Sequence, residues 1–407
     1  MGHTHTHERD AASSGRIRLL LAAALVPFLL ATIVGLVALW PPRYHGAPNV
    51  YPGTVSSDEH AKVTRVVSST CGSESQCDDV TIFLETGPER GHHTVLPKMS
   101  LGPGVPALRV GDEIVVSRLE VTAQGDVSYS FEDYQRTQPL WILAAIFSVL
   151  VVAVARWRGL GAIAGLGVTY LVLIRFVVPA ILAGENALVT ALVGSWVIVF
   201  VVLYLAHGAT TRTSTALLGT LLSLGLTGLL AWFFVGATHL TGAASEEATY
   251  IQSLGLDISL SDLLLAGIVI GSLGVLNDVT VTQASAVWEI HRANPASRVR
   301  DVYRGGMRVG RDHIASTVYT LVLAYAGASL PLILLFTVGD RTLSGVLTSE
   351  VVASEIIRTL VGSIGLVASV PLTTFVASAV VTAGLDRPVS APATRVAQAL
   401  GIGDETA

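Results

Sequence analysis

Eight long runs of mostly apolar residues alternate with shorter polar segments along the chain. They cover residues 19–39, 139–155, 160–182, 187–206, 214–237, 261–283, 314–337 and 356–383. A helix needs about 20 apolar residues to cross the hydrocarbon core of a bilayer, so each run predicts a transmembrane helix. The pattern therefore predicts a polytopic α-helical membrane protein with about eight transmembrane helices, the first at 19–39 and the other seven in a body at 139–383.

The segment 43–138, between the first and second runs, follows a different pattern. Short stretches rich in Val, Ile, Thr and Tyr alternate with glycine-containing turns and predict strands near 62–68, 80–85, 92–96, 113–119 and 127–134. About five strands in such a segment predict a small β-rich domain, barrel- or sandwich-like. Its two cysteines, Cys71 and Cys77, are the only ones in the chain. We expect a disulfide between them in an oxidising compartment, with two free thiols or a metal pair as alternatives.

Arginine distribution predicts the orientation of these helices. If the N-terminus is cytoplasmic, the inner segments contain 14 arginines, whereas Arg341 is the only arginine in the short outer loops. Basic residues concentrate in cytoplasmic loops. We therefore expect both termini, within tails at 1–18 and 384–407, to be cytoplasmic, and the domain at 43–138 to be extracytoplasmic in the cell membrane.

Composition and charge narrow the function. Charged residues make up 14% of the chain and its net charge is −5, so we expect no nucleic-acid partner. Lys62 and Lys98 are the only lysines, which excludes P-loop and Schiff-base chemistry from the apolar body. No zinc-protease or serine-hydrolase motif is present. We therefore predict that the chain is not an enzyme and has no cofactor, with a membrane enzyme that lacks a recognisable motif as the alternative.

Polar residues inside the apolar runs are the candidate site, because ionisable and polar groups in a membrane are costly and mark function. Gly267, Gly271 and Gly274 precede a polar cluster at the end of the sixth run, and hydroxyls recur in the seventh. The candidates for a substrate or ion pathway are Asn277, Asp278, Thr282, Gln283, Thr320 and Tyr325. The alternative is that the sixth helix leaves the membrane at Asn277 and that these residues are hydrated.

Three further features have a candidate role and a simpler explanation. Arg175 lies in the third run, where snorkelling to the outer phosphates or pairing with Glu185 or Asp262 would explain it. The basic segment 292–311 could bind anionic lipid, although topology alone predicts such a cluster. Alternating histidines near the N-terminus are weak metal ligands or simply part of a tail; they are His3, His5 and His7.

Several motifs of the chain resemble those of the YibE/F family of bacterial multi-pass membrane proteins. They are Gly271-Ser-Leu-Gly-Val-Leu-Asn-Asp-Val-Thr-Val-Thr-Gln-Ala-Ser, Gly310-Arg-Asp-His, Leu323-Ala-Tyr-Ala-Gly-Ala-Ser-Leu-Pro331 and Tyr204-Leu-Ala-His-Gly208. The resemblance covers most of 45–385 and implies an outer domain followed by a seven-helix body. The resemblance implies no particular activity. Its motifs include Asp278, Gly310 and Arg311, to which it assigns no roles.

These patterns lead to two functional hypotheses. The first is a transporter or permease with a polar intramembrane site near Asp278, because an acidic group, hydroxyls and broken helices are the ingredients of a cation or proton pathway. The alternative is a non-transporting scaffold or accessory protein that binds a protein partner through its extracytoplasmic domain. In both, the lipid bilayer is the main partner.

Overall fold

The computed structural model describes residues 15–41, 54–71, 75–97, 99–100, 107–121, 126–256, 258–338 and 342–383. Two compact units make up the chain: His45–Val154, and Met1–Tyr44 together with Ala155–Ala407. The N-terminal histidines and the tail at 384–407 lie outside the described residues.

In its described residues, the first unit contains one antiparallel sheet of six strands. They are β1 (Thr54–Cys71), β2 (Ser75–Leu84), β3 (His93–Val95), β4 (Met99–Ser100), β5 (Glu113–Val121) and β6 (Asp126–Tyr134). The order is β3-β2-β1-β5-β6, with β4 also paired to β2. The barrel- or sandwich-like expectation differs from this result, because the described strands form a single sheet whose edges, β3 and β6, are not paired to each other.

One face of the sheet forms the core of this unit. Val63, Ile82 and Ile114 come from three neighbouring strands and are at most 1% exposed. Successive side chains of a strand point to opposite faces, which is why apolar residues alternate with polar ones here. Helix α2 (Thr137–Ala155) follows the sheet, and none of its residues is buried.

The second unit is helical. Its helices are α1 (Gly15–Ala38), α3 (Trp157–Val172), α4 (Val178–Leu182), α5 (Ala187–His207), α6 (Thr211–Ala237), α7 (Glu246–Ser253), α8 (Leu260–Ala293), α9 (Val299–Ala328), α10 (Leu330–Val338), α11 (Leu343–Leu347) and α12 (Glu350–Ala383). A π-helical turn, Leu173–Val177, joins α3 to α4. Side-chain oxygens cap α5 and α6, since Asn186 accepts from the backbone N–H of Val189 and Thr210 from that of Thr213.

Within the described residues, seven helical segments are long and apolar enough to cross a membrane. The chain is thus a membrane-embedded, mostly helical protein, but the predicted run at 314–337 is not one continuous helix. Helix α9 ends at Ala328, and α10 begins at Leu330. Pro331 contributes to this break because it has no N–H to donate to the preceding turn, whereas the first turn of a new helix tolerates proline.

The basic segment predicted as a loop at 292–311 is mostly helical. Helix α8 continues to Ala293, ten residues beyond its predicted end at 283, and α9 already begins at Val299. Four arginines of the segment therefore lie on α9: Arg300, Arg304, Arg308 and Arg311.

Helices α6, α8 and α12 form the centre of the helical unit through small and hydroxyl-bearing residues. The hydroxyls of Thr220 and Thr280 lie 2.6 Å apart, and both residues are fully buried. A Cβ added at Gly219 would overlap the Thr373 hydroxyl on α12. Small residues let membrane helices approach closely, and hydroxyl hydrogen bonds stabilise the contact.

Candidate functional site

The predicted acidic residue Asp278 lies on the exposed side of α8. Its side chain is exposed, and within the described part of the chain its carboxylate accepts no hydrogen bond and forms no ion pair. Thr282, one turn further, is also exposed and donates its hydroxyl to the backbone carbonyl of Asp278 at 2.7 Å. Both residues therefore face away from the packed centre of α6, α8 and α12.

Gln283 has the opposite environment. It is 2% exposed, and its amide donates to the carbonyl of Gly306 at 2.8 Å and to the Thr374 hydroxyl at 2.7 Å. These bonds link α8 to α9 and α12. Asn277 is partly buried, and its Oδ1 has no hydrogen-bond partner among the described residues. Gln283 thus holds three helices together, rather than facing a solute pathway.

Gly310 lies at the same helix contact. A Cβ at this position would overlap Cγ1 of Val370 on α12 and would lie 3.1 Å from Oε1 of Gln283. Glycine is therefore required for α9 to approach the other two helices. Its neighbour Arg311 is exposed on α9.

The remaining predicted pathway residues, Tyr325 and Thr320, both lie on α9 and differ in their contacts with α8. The Tyr325 hydroxyl would lie 3.3 Å from a Cβ placed on Gly271, so this ring from α9 covers the middle of the α8 glycines. Gly267 and Gly274 have no atom within 4 Å of such a Cβ. Thr320 is exposed and donates to the Ser316 carbonyl at 2.9 Å. We call Gly267, Gly271 and Gly274 the glycine face of α8.

Arg175 lies within the π-helical turn and is exposed. Asp262, one of its two expected partners, accepts instead from the side-chain amide of Asn186 at 2.8 Å. π-Helical turns cluster at functional sites, but within the described residues no ion pair involves Arg175.

A cleft that the sequence analysis missed lies among α7, α8, α10 and α12. Its volume is about 790 Å³, and we call it the charged cleft. Leu263 and Leu264 of α8 and Leu332 and Leu335 of α10 supply apolar walls, while its charged residues are Glu247, Glu350, Glu355 and Arg358. Ser329 and Pro331, at the break between α9 and α10, also line it.

Two of these charges form an ion pair on α12. Arg358 Nη1 lies 3.3 Å from Oε1 of Glu355, and their side chains are 31% and 28% exposed. The Nε of Arg358 is buried without a hydrogen-bond partner in the described part of the chain. Arg358 falls inside the apolar run at 356–383, so a charge within a predicted span was the signal that could have found this site.

Glu350 has a structural role at the edge of the charged cleft. Its Oε1 accepts from the backbone N–H groups of Thr241 and Gly242 at 2.7 and 2.8 Å, and from the Thr241 hydroxyl at 2.7 Å. The carboxylate thereby holds the segment after α6 against the start of α12. This leaves the Glu355–Arg358 pair as the polar group best placed to meet a bound molecule.

The sheet unit has polar clusters of its own. Tyr129 is buried and donates its hydroxyl to Glu89 at 3.1 Å. Burial raises the pKa of Tyr129, and the hydrogen bond to Glu89 raises it further. Cys77 is buried. The side chain of Cys71 lies outside the described part of the chain, so its pairing with Cys77 stays a prediction.

Comparison with known proteins identifies the family. The profile of one family, described as YibE/F-like protein, matches residues 143–383, from within α2 to the end of α12. The match is narrower than the resemblance over 45–385, because it leaves out the sheet. No curated protein and no solved structure matches the chain. The match spans more than half of the 407 residues, and the chain belongs to the YibE/F-like family of proteins.

Proposed function

We propose that this membrane protein is a transporter or permease for a cation or for protons. In this proposal a solute enters the charged cleft and follows the glycine face of α8 to Asp278. The observation that carries the proposal is the charged cleft at the break between α9 and α10. The proposal includes no catalytic step and no cofactor.

The helix break supports a binding site at this position. Substrate sites of secondary transporters commonly use discontinuous membrane helices, because the interrupted ends leave backbone polar groups near the solute. Here Ser329 and Pro331 belong both to the break and to the lining of the charged cleft. An uninterrupted helix at 314–337 would not bring such groups to the cleft.

The exposed side of α8 connects the charged cleft to Asp278. Leu264 lines the cleft, and Gly267, Gly274 and Asp278 follow on the same exposed side of the helix. At 1.5 Å per residue, the 14 residues from Leu264 to Asp278 span about 21 Å. Tyr325 covers Gly271 between them, and we propose that its ring narrows this path.

The charges favour a positively charged solute. Three carboxylates and one guanidinium line the cleft, so its formal charge is negative. Asp278 adds a further carboxylate at the other end of the path, where an ionised group costs about 2.5 to 3.5 kcal/mol in the centre of a bilayer. A bound cation or proton would offset part of this cost.

We propose the orientation that arginine asymmetry predicts, with both termini cytoplasmic and the sheet outside the cell membrane. This orientation requires eight crossings, so α9 and α10 together would make the seventh despite the break at Ser329. We also retain the proposal that anionic lipid contacts the basic segment 292–311.

A scaffold or accessory role is the second candidate. The sheet unit has exposed apolar side chains, among them Val67, Val95 and Val110. A protein partner would cover apolar side chains of this kind. Such a protein would bind its partner through the extracytoplasmic domain and would carry no solute.

Flux into proteoliposomes tests the proposal. The purified full chain would be assayed with protons, monovalent and divalent metal ions and small organic cations. Glu355→Gln and Asp278→Asn should each lower the rate of the transported ion about tenfold or more, which corresponds to about 1.4 kcal/mol. Glu289→Gln is the matched control, because Glu289 is an exposed carboxylate of α8 that pairs with Arg292 at the helix end.

The outcomes separate the two candidates. Wild-type flux that falls in both variants but not in Glu289→Gln supports the pathway. Flux that is unchanged in both variants contradicts the site, although not transport. No flux for any tested ion, together with a protein that co-purifies through the extracytoplasmic domain, supports the scaffold instead.

A further inference from the structure

A second groove lies in the helical unit between α1 and the hairpin of α5 and α6. Its volume is about 790 Å³. Leu25, Leu29 and Val201 line its apolar part. Arg18, near the start of α1, and Ser214, near the start of α6, line its polar part. Arg18 precedes Leu29 by 11 residues, or about 16 Å of helix. The groove therefore has a charged end and a long apolar wall.

Hydroxyl groups surround the polar end. Thr210 and Thr211 line the groove at the start of α6, next to Ser214, whose hydroxyl lies 3.0 Å from that of Tyr204. Hydroxyl and guanidinium groups are suitable donors for the oxygens of a phosphate group.

The surroundings of this end are basic. Arg158 and Arg212 are near enough to His207, the last residue of α5, to interact with it electrostatically. Between residues 137 and 245 the chain contains a single acidic residue, Glu185. Glu185 precedes α5 and so lies at the opposite end of that helix. Arg18 is the basic residue that lines the groove, whereas Arg158 and Arg212 lie near the same end of α5.

We propose that this groove binds an anionic phospholipid, with its phosphate at Arg18 and the neighbouring hydroxyls and an acyl chain along Leu25, Leu29 and Val201. The apolar wall favours a lipid over free phosphate, which would use only the polar end. The predicted orientation puts this end at the cytoplasmic leaflet, where anionic lipids attract basic residues. The proposal does not depend on transport.

Native mass spectrometry of the delipidated full chain would test it. We expect phosphatidylglycerol to bind with higher affinity than phosphatidylcholine of the same chain length. Arg18→Gln should weaken phosphatidylglycerol binding about fivefold, the equivalent of about 1 kcal/mol for one basic residue. Ala22→Trp fills the groove without changing its charge and should also weaken that binding. Arg65→Gln is the matched control, because Arg65 is an exposed arginine of β1, outside the groove and outside the basic segment 292–311.

The binding measurements on the variants decide whether the groove is the lipid site. Selective loss in Arg18→Gln and Ala22→Trp, with wild-type helicity, supports it. An equal loss in Arg65→Gln would show that binding depends on net charge rather than on the groove and would overturn the proposal. Equal affinity for the two lipids, or displacement of the lipid by inorganic phosphate at similar concentration, would overturn it as well. If Arg18→Gln fails to fold, unchanged binding in Ala22→Trp is the overturning result.

Discussion

Replacement of Gly310 by alanine tests whether the tight contact of α9 with α8 and α12 is structural. The added Cβ would overlap Val370 Cγ1 and approach Gln283 Oε1 to 3.1 Å. Val370 is 0% and Gln283 2% exposed, so neither side chain has solvent into which it can move. Overpacking of this kind costs about 1 to 3 kcal/mol. Alanine regains about 1 kcal/mol in helix propensity over glycine, which leaves an expected net loss of up to about 2 kcal/mol.

The measurement is the free energy of unfolding of the purified chain in mixed micelles, followed by loss of helicity. Gly225→Ala is the matched control, since a Cβ at this glycine of α6 would have no atom within 4 Å. We expect this control to be neutral or slightly stabilising.

A double variant separates the clash from other effects. Val370→Ala removes the methyl group that the new Cβ meets, so Gly310→Ala should cost less in that background than in the wild type. Contacting residues commonly couple by about 0.5 to 3 kcal/mol. A Gly310→Ala variant no more destabilised than Gly225→Ala, or an unchanged cost of Gly310→Ala in the Val370→Ala background, would refute a steric clash at this helix contact.

Three other predictions concern topology, the disulfide and the edge of the charged cleft. A reporter inserted at the Gly91 turn should be extracytoplasmic and one at the C-terminus cytoplasmic; the reverse result at either site contradicts the orientation. If Cys71 pairs with Cys77, neither should react with a thiol reagent in the unfolded, unreduced chain, and reduction should cost about 2 to 3 kcal/mol of stability. Glu350→Ala should lower the free energy of unfolding by about 1.5 kcal/mol, because the donors of Thr241 lose a charged acceptor; a loss below the error of the measurement would rule this out.

The spans that lie deepest in the helical unit were predictable to within a few residues. The runs at 187–206 and 214–237 correspond to α5 (Ala187–His207) and α6 (Thr211–Ala237). Apolar composition set these limits, whereas the capping roles of Asn186 and Thr210 became apparent only in the structure. The seventh run was less predictable, because apolar composition does not distinguish one continuous helix from two that meet at Ser329.

The candidate site was less predictable than the spans. Composition placed Asp278 and Gln283 together, five positions apart on one helix, but they face opposite environments. Which side of α8 is covered depends on α6, α9 and α12, and nothing local to α8 encodes their positions. The charged cleft was missed for a related reason: Glu247, Ser329 and Arg358 come from three distant parts of the chain and meet only after the helices pack.

The sequence by itself determined that the chain is a membrane protein of apolar helices with a separate β-rich segment. It could do so because the thickness of the hydrocarbon core and the two-residue period of a strand act on local composition. Only the tertiary structure decided that Gln283 binds the Gly306 carbonyl and Thr374, residues 23 and 91 positions away, and that Asp278 faces outward. In a membrane the hydrophobic effect does not drive helices together, so close packing of small residues and hydroxyl groups determines which faces meet. That packing depends on several helices at once.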